Sequence, residues 1–201
     1  MLSLLGGAGE SNSQRSSVCR AALVIQGLIE EGRVKPMSVV MPNGHINGPG
    51  QISPPGVAIG DELLQAVIPY IDKHYRTRTG PRSRALAGLS LGGFTTLQFG
   101  FPNPDVFAYL GIFSSGLFGG TQGFEAAHQD LLSDPKINKR FKVFWFGMGT
   151  EDFLFDTGLE TRALFDKYQV NYQYYENSDG HDWFAWREFL TEFAPPLCRA
   201  D

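Results

Sequence analysis

The sequence predicts an α/β fold, a mostly parallel sheet with helices on both of its faces. Short apolar runs alternate with segments of helical periodicity along all 201 residues, which is the pattern of successive β-α-β units. Four Gly-rich or polar turns each follow an apolar run, at residues 6–9, 88–93, 147–152 and 177–182. In open sheets of this kind, sites form at the carboxyl ends of the strands, so these turns are expected along one edge. The second of them, Gly88-Leu89-Ser90-Leu91-Gly92, stands between an apolar run and a helical run, the setting of a strained strand-to-helix elbow.

The elements follow in order. Residues 2–5 are a short apolar run that ends in the first turn. Residues 17–31 place Ala21, Leu23, Val24, Leu28 and Ile29 on one helical face, and Gly32 stops the helix. Residues 37–41 read as a buried strand closed by Pro42-Asn43-Gly44, and the Gly- and Pro-rich stretch 45–60 reads as a surface loop. Residues 61–75 form an amphipathic helix in which Pro69 marks a kink or a boundary. Strands are expected at 84–87, 106–114, 142–146 and 170–175. Helices are expected at 90–100, 124–132, 154–168 and 182–193, the last stopped by Pro195-Pro196.

Residues 1–201 suffice for one sizeable core and are read as a single domain. Apolar content is 42 % and charged content 19 %, ordinary for a globular enzyme. A net charge of −4 argues against nucleic acid, whose phosphates demand a basic surface. No apolar run approaches the roughly 18–20 residues of a membrane span. Residues 1–9 lack the basic segment and apolar length of a signal peptide, so they are read as mature structure. Cys19 and Cys198 leave open whether they pair, and they form no metal-ligand cluster. Neither a metal nor an organic cofactor is implied.

Chemistry enters at Ser90. A serine hydroxyl is a weak nucleophile near pH 7 and needs a base, which in turn needs an orienting carboxylate. Of four histidines, His181 follows the last predicted strand, where an α/β-hydrolase carries its base. His74 and His128 fall on helices, and His45, in a loop after a strand, is the rival. The acid should lie between serine and histidine after a strand. Asp152 in Gly149-Thr150-Glu151-Asp152 fits, with Glu151 and Asp156 as alternatives. The order Ser90, Asp152, His181 is that of the α/β-hydrolase fold. An oxyanion hole needs two backbone N–H groups. Leu91 supplies one, and Ala8 or Gly7 in the first turn the other, unless those glycines only tighten the turn. Trp183, Phe118 and Phe155 lie where an aromatic acyl pocket would be lined, although aromatics more often serve the core.

These motifs resemble a known family. Residues 84–93 (Arg-Ala-Leu-Ala-Gly-Leu-Ser-Leu-Gly-Gly), 107–116, Gly149-Thr150-Glu151-Asp152, Gly180-His181-Asp182-Trp183 and the stretch 35–44 are similar to the esterase D-like superfamily of α/β-hydrolases, most nearly to the feruloyl esterases of carbohydrate esterase family 1. The resemblance implies a serine carboxylesterase acting through an acyl-enzyme on feruloyl or acetyl esters of plant polysaccharide such as xylan, secreted or periplasmic, with Ser90, Asp152 and His181 as its triad. The family carries His-Gly where Gly6-Gly7 stands, and further strands ahead of the first turn. An N-terminal hairpin is therefore expected to be missing, leaving a sheet edge open to pairing with a second copy. Two other readings stand beside this one: a general short-chain esterase or acyltransferase of the same superfamily, and a non-catalytic carbohydrate-binding or interaction module.

Overall fold

Among the described residues, six strands form one sheet in the order β2-β1-β3-β4-β5-β6: β1 (Leu2–Leu5), β2 (Val39–Val40), β3 (Ala85–Leu89), β4 (Tyr109–Phe113), β5 (Val143–Gly149) and β6 (Gln173–Asn177). Every pairing among the described residues is parallel, and the architecture is that of the α/β-hydrolase fold. The computed structural model describes residues 1–8, 19–42 and 57–199. His45 and Gly9 lie outside that set.

The apolar runs are continuous because both faces of the sheet are covered. Each of β1, β3, β4 and β5 is buried at every position. Side chains alternate between two cores with the period of a strand. Leu2, Leu4, Ala85, Ala87, Leu89, Phe113, Val143 and Trp145 face one layer. Leu5, Leu86, Leu110, Ile112, Phe144 and Phe146 face the other. The first layer is closed by α1 (Ala21–Glu30) and by the late helix Trp183–Phe193. The second is a cluster of rings around Phe101, with Phe124, Phe141, Phe144 and Phe165 between 5.1 and 5.8 Å from it, centroid to centroid. Cys19 is buried in the first core; the side chain of Cys198 lies outside the described ones.

Several bounds depart from the sequence reading. The predicted loop 45–60 gives way to helix α2 (Val57–Glu62), which runs through a π-helical stretch (Leu63–Val67) into α3 (Ile68–His74). Pro69 sits in the first turn of α3. It has no N–H to give to the preceding turn and its ring crowds a carbonyl there, and the widened π turn absorbs both. The helix after β3 begins at Leu91, as α4 (Leu91–Thr95), and also widens into a π stretch (Thr96–Gly100). The predicted strand 37–41 shrinks to Val39–Val40, while β5 outruns its predicted end because β6 offers ladder partners as far as Gly149↔Asn177. Further on come α5 (Gln122–Leu132), α6 (Ile137–Arg140), α7 (Phe155–Lys167) and α8 (Trp183–Phe193). Pro196 opens a short α9 (Pro196–Arg199), as proline does at a first helical position.

Strand order decides where the site lies. From β1 the chain moves outward to β2, then returns to the other side of β1 as β3. The order reverses between β1 and β3, and the crevice at such a reversal is where α/β sheets hold ligands. The turn after β1 and the elbow after β3 meet there. β1 itself is interior, so among the described residues the edge on that side is the two-residue β2, not β1 as the sequence suggests.

Candidate active site

At the end of β3, Ser90 takes φ 53° and ψ −118°, a region that non-glycine residues occupy only under constraint. The constraint is visible. Its N–H donates to the Phe113 carbonyl at the end of β4 (2.9 Å), and its own carbonyl accepts from Phe94 N–H (3.1 Å) and from the Ser115 hydroxyl (2.6 Å). The flanking glycines are required by space. A Cβ on Gly88 would lie 2.3 Å from the Gly92 backbone, and one on Gly92 would lie 2.7 Å from the Leu5 carbonyl and 2.8 Å from that of Gly6. The elbow is thus pressed against the turn that holds Gly7, half-buried, and Ala8, exposed. Leu91 opens α4 on the same edge. We expect Gly92→Ala to push these two turns apart, costing about 1–3 kcal/mol of stability. A thermal melt paired with an activity assay measures both consequences.

On the same edge, Asp152 hangs from the turn after β5. Its N–H donates to the Gly149 carbonyl (3.1 Å), its Oδ1 accepts from Leu154 N–H (2.8 Å), and its carbonyl accepts from Phe155 N–H (2.9 Å). His181 Nδ1 lies 3.0 Å from Oδ1 and 2.9 Å from Oδ2 of this carboxylate. With Nδ1–H donating to Asp152, the neutral ring keeps its lone pair on Nε2. The carboxylate is buried, which pushes its pKa up, but the hydrogen bonds from His181 and the Leu154 N–H outweigh this and hold it below the usual value. Neither alternative acid is bonded to His181 among the described residues: Glu151 is exposed, and Asp156 sits in the first turn of α7.

The histidine loop is pinned at backbone level. Thr150 N–H donates to the Asn177 carbonyl and Glu151 N–H to that of Asp179, prolonging the β5–β6 ladder past its strands. A Cβ on Gly149 would lie 2.0 Å from the Asp179 carbonyl. Asp182 then caps α8, accepting from Phe184 and Ala185 N–H at 2.8 and 3.1 Å, so the residue before it is held in place. Trp186 meets the His181 ring edge-on at 5.2 Å. Among the described residues no hydrogen bond joins Ser90 Oγ to His181; such bonds are often long until a substrate is bound. The remaining helical histidines are elsewhere: His74 stacks on Tyr70, and His128 packs edge-on against Phe124, its pKa lowered by burial.

The expected pocket aromatics take different places. Phe118 stacks on Phe94, one turn into the elbow helix, at 5.0 Å and 8°. Trp183 is half-buried and edge-on to Trp186 at 4.7 Å. Phe155 lines a narrow crevice under α7 with Phe146, Met148, Leu159, Arg162 and Tyr174. Sequence reasoning passes over Ser114 and Ser115. Ser114 carries φ 47° and donates its N–H to the Gly147 carbonyl. Its hydroxyl is buried and makes no hydrogen bond among the described residues, but it is near enough to the Asp152 carboxylate to favour its charge. A Ser-Ser-Gly run after a strand was the signal available for both. Among the described residues no group of three His, Cys, Asp or Glu side chains is placed to hold a metal, and no helix is long and apolar enough to cross a membrane. A serine at an elbow, on the same sheet edge as a histidine oriented by a buried carboxylate, can support nucleophilic acyl transfer.

The family model described as "Putative esterase" matches residues 14–196. Among curated proteins, an endo-1,4-beta-xylanase/feruloyl esterase of Xylanibacter ruminicola is 27 % identical over 201 residues, covering 98 % of this chain and 26 % of the relative. The chain thus spans about a quarter of that relative's length. Among solved structures, a ferulic acid esterase superposes with a TM-score of 0.81 at 24 % identity, covering 100 % of this chain and 84 % of that one. A serine-to-alanine mutant of the feruloyl esterase module from Clostridium thermocellum, complexed with sinapinate, gives 0.80 at 20 % identity, covering 99 % and 77 %.

Proposed function

Since this chain belongs to the esterase family and has the α/β-hydrolase fold, we propose that it is a carboxylic ester hydrolase, a serine esterase cleaving feruloyl or related hydroxycinnamoyl esters of plant polysaccharide such as xylan. The observation that carries the mechanism is the bonded pair of Asp152 and His181 on the same sheet edge as the strained Ser90 elbow. The Xylanibacter relative, by its name both a xylanase and a feruloyl esterase, supports the substrate.

In this mechanism Ser90 Oγ attacks the ester carbonyl while His181 Nε2 takes its proton. Asp152 holds the imidazole in the required tautomer and steadies the positive charge that forms on it. The carbonyl oxygen becomes an anion held by the N–H of Leu91 and that of Ala8 or Gly7; one such donor is worth about 3 kcal/mol to the transition state. His181 then returns the proton to the departing alcohol oxygen, leaving ferulate esterified to Ser90. Water, deprotonated by His181, releases the acid and restores the serine. No cofactor takes part.

The test is a hydrolysis screen that sets methyl ferulate against aliphatic p-nitrophenyl esters, with and without acceptor sugars. We expect kcat/KM to favour the ferulate. A preference for short aliphatic esters points to a general esterase, and transfer to sugar points to an acyltransferase. No turnover, with no labelling by a fluorophosphonate, points to a binding module.

A further inference from the structure

Phe153 directly follows the acid, and of the large apolar side chains described it is the most exposed, at 76 %. Exposure of this extent forgoes about 1.5–3 kcal/mol that burying such a ring would contribute, so core packing does not account for the residue. Its backbone is nevertheless held firmly. The residue before it is bonded to Gly149, and both residues after it donate to Asp152. Its ring lies 4.5 Å from the His181 imidazole, centroid to centroid, at 48°. An exposed aromatic on a fixed turn therefore stands beside the one side chain that must reach the leaving group.

Where His181 acts as general acid, its Nε2 comes within about 2.6–3.2 Å of the departing oxygen. The atoms bonded to that oxygen then lie within contact range of a ring set against the imidazole. Once the bond from that oxygen to the acyl carbon breaks, the atoms that stay on it are those of the alcohol half of the ester. A polysaccharide alcohol is too large to enclose and has to extend into solvent, as the free face of Phe153 does. Sugar rings present C–H groups to such a face, and C–H contacts with π systems are individually weak but directional.

We propose that Phe153 is a specificity-determining residue for the alcohol side of the ester, packing its ring against the sugar that carries the acyl group. The proposal rests on the esterase reading above and assigns a side of the ester that Trp183 and Phe118 do not address.

The test holds the acyl group constant and changes the alcohol. Wild type, Phe153→Ala and Phe153→Tyr are assayed on methyl ferulate and on a feruloylated arabinoxylo-oligosaccharide. For Phe153→Ala we expect kcat/KM on the oligosaccharide to fall about tenfold, the scale of one aromatic contact, with methyl ferulate within about threefold of wild type, and Phe153→Tyr to restore the oligosaccharide rate. An equal fall on both esters makes Phe153 a mere support for His181 and overturns the proposal, as does no change on either. Should the wild type prefer acetyl esters, the same comparison runs on methyl acetate and acetylated xylo-oligosaccharide, so an error in the acyl assignment is separated from an error about Phe153. A wild type inert to all four esters overturns both.

Discussion

Ser90→Ala is expected to lower kcat for ester hydrolysis by roughly 10⁴- to 10⁶-fold, the range seen when a triad nucleophile is removed. The variant should fold as the wild type does. The bonds that hold the elbow run through the backbone of Ser90, to Phe113, Phe94 and Ser115, and alanine keeps all of them. Alanine is also no better suited than serine to φ 53°, so no stabilisation from relieved strain is expected. The measurement is kcat on methyl ferulate together with covalent labelling by a fluorophosphonate, with a thermal melt as the folding control. Loss of both activity and labelling at unchanged melting temperature is the expected result. Hydrolysis at the wild-type rate by a variant without this hydroxyl would sink the acyl-enzyme mechanism.

Asp152→Asn should cost about 10⁴-fold in kcat, for a different reason. The amide keeps the volume of the carboxylate but turns one of its two acceptors into a donor, which favours the wrong tautomer of His181. The loss falls on kcat more than on KM because the charged imidazole forms only during the reaction. The same variant carries a stability signature. Hydrogen bonds lower the folded-state pKa of Asp152, so its carboxylate stabilises the native state above the ordinary carboxylate range, and that contribution is lost as the pH falls through the lowered folded-state value. Urea unfolding of wild type and variant should show a stability gap at neutral pH that closes in acid. A gap that widens in acid would contradict the sign of the shift.

Much of this was legible in one dimension. Apolar runs such as Phe144-Trp145-Phe146, short and bounded by a glycine-rich turn, fit a strand covered on both faces, and β5 is buried along its whole length. The turns after β1, β3, β5 and β6 follow from their glycines and polar residues, and chain order is enough to select Ser90, Asp152 and His181 as the candidate site. The π turn ahead of Pro69 was not legible, since a proline announces disruption without saying how the helix absorbs it. Nor were the roles of Ser114 and Phe153, because neither burial of a hydroxyl nor exposure of a ring is a property of the residue type. Phe155 shows the same limit: two residues from Phe153 on the chain, it lies under α7, while Phe153 stands beside His181.

The sequence by itself determined the fold class, the parallel order of alternating elements and the candidate nucleophile, acid and base, because each rests on local periodicity, turn chemistry or order along the chain. Only the tertiary structure decided that the elbow is pressed on the β1 turn, that Asp152 rather than Glu151 meets His181, and that Phe153 stands beside it. Those are contacts across the reversal between β1 and β3 and across the β5–β6 ladder. They depend on which strands become neighbours and in what register, and a shift of one residue in that register would turn every side chain on the strand to the opposite face.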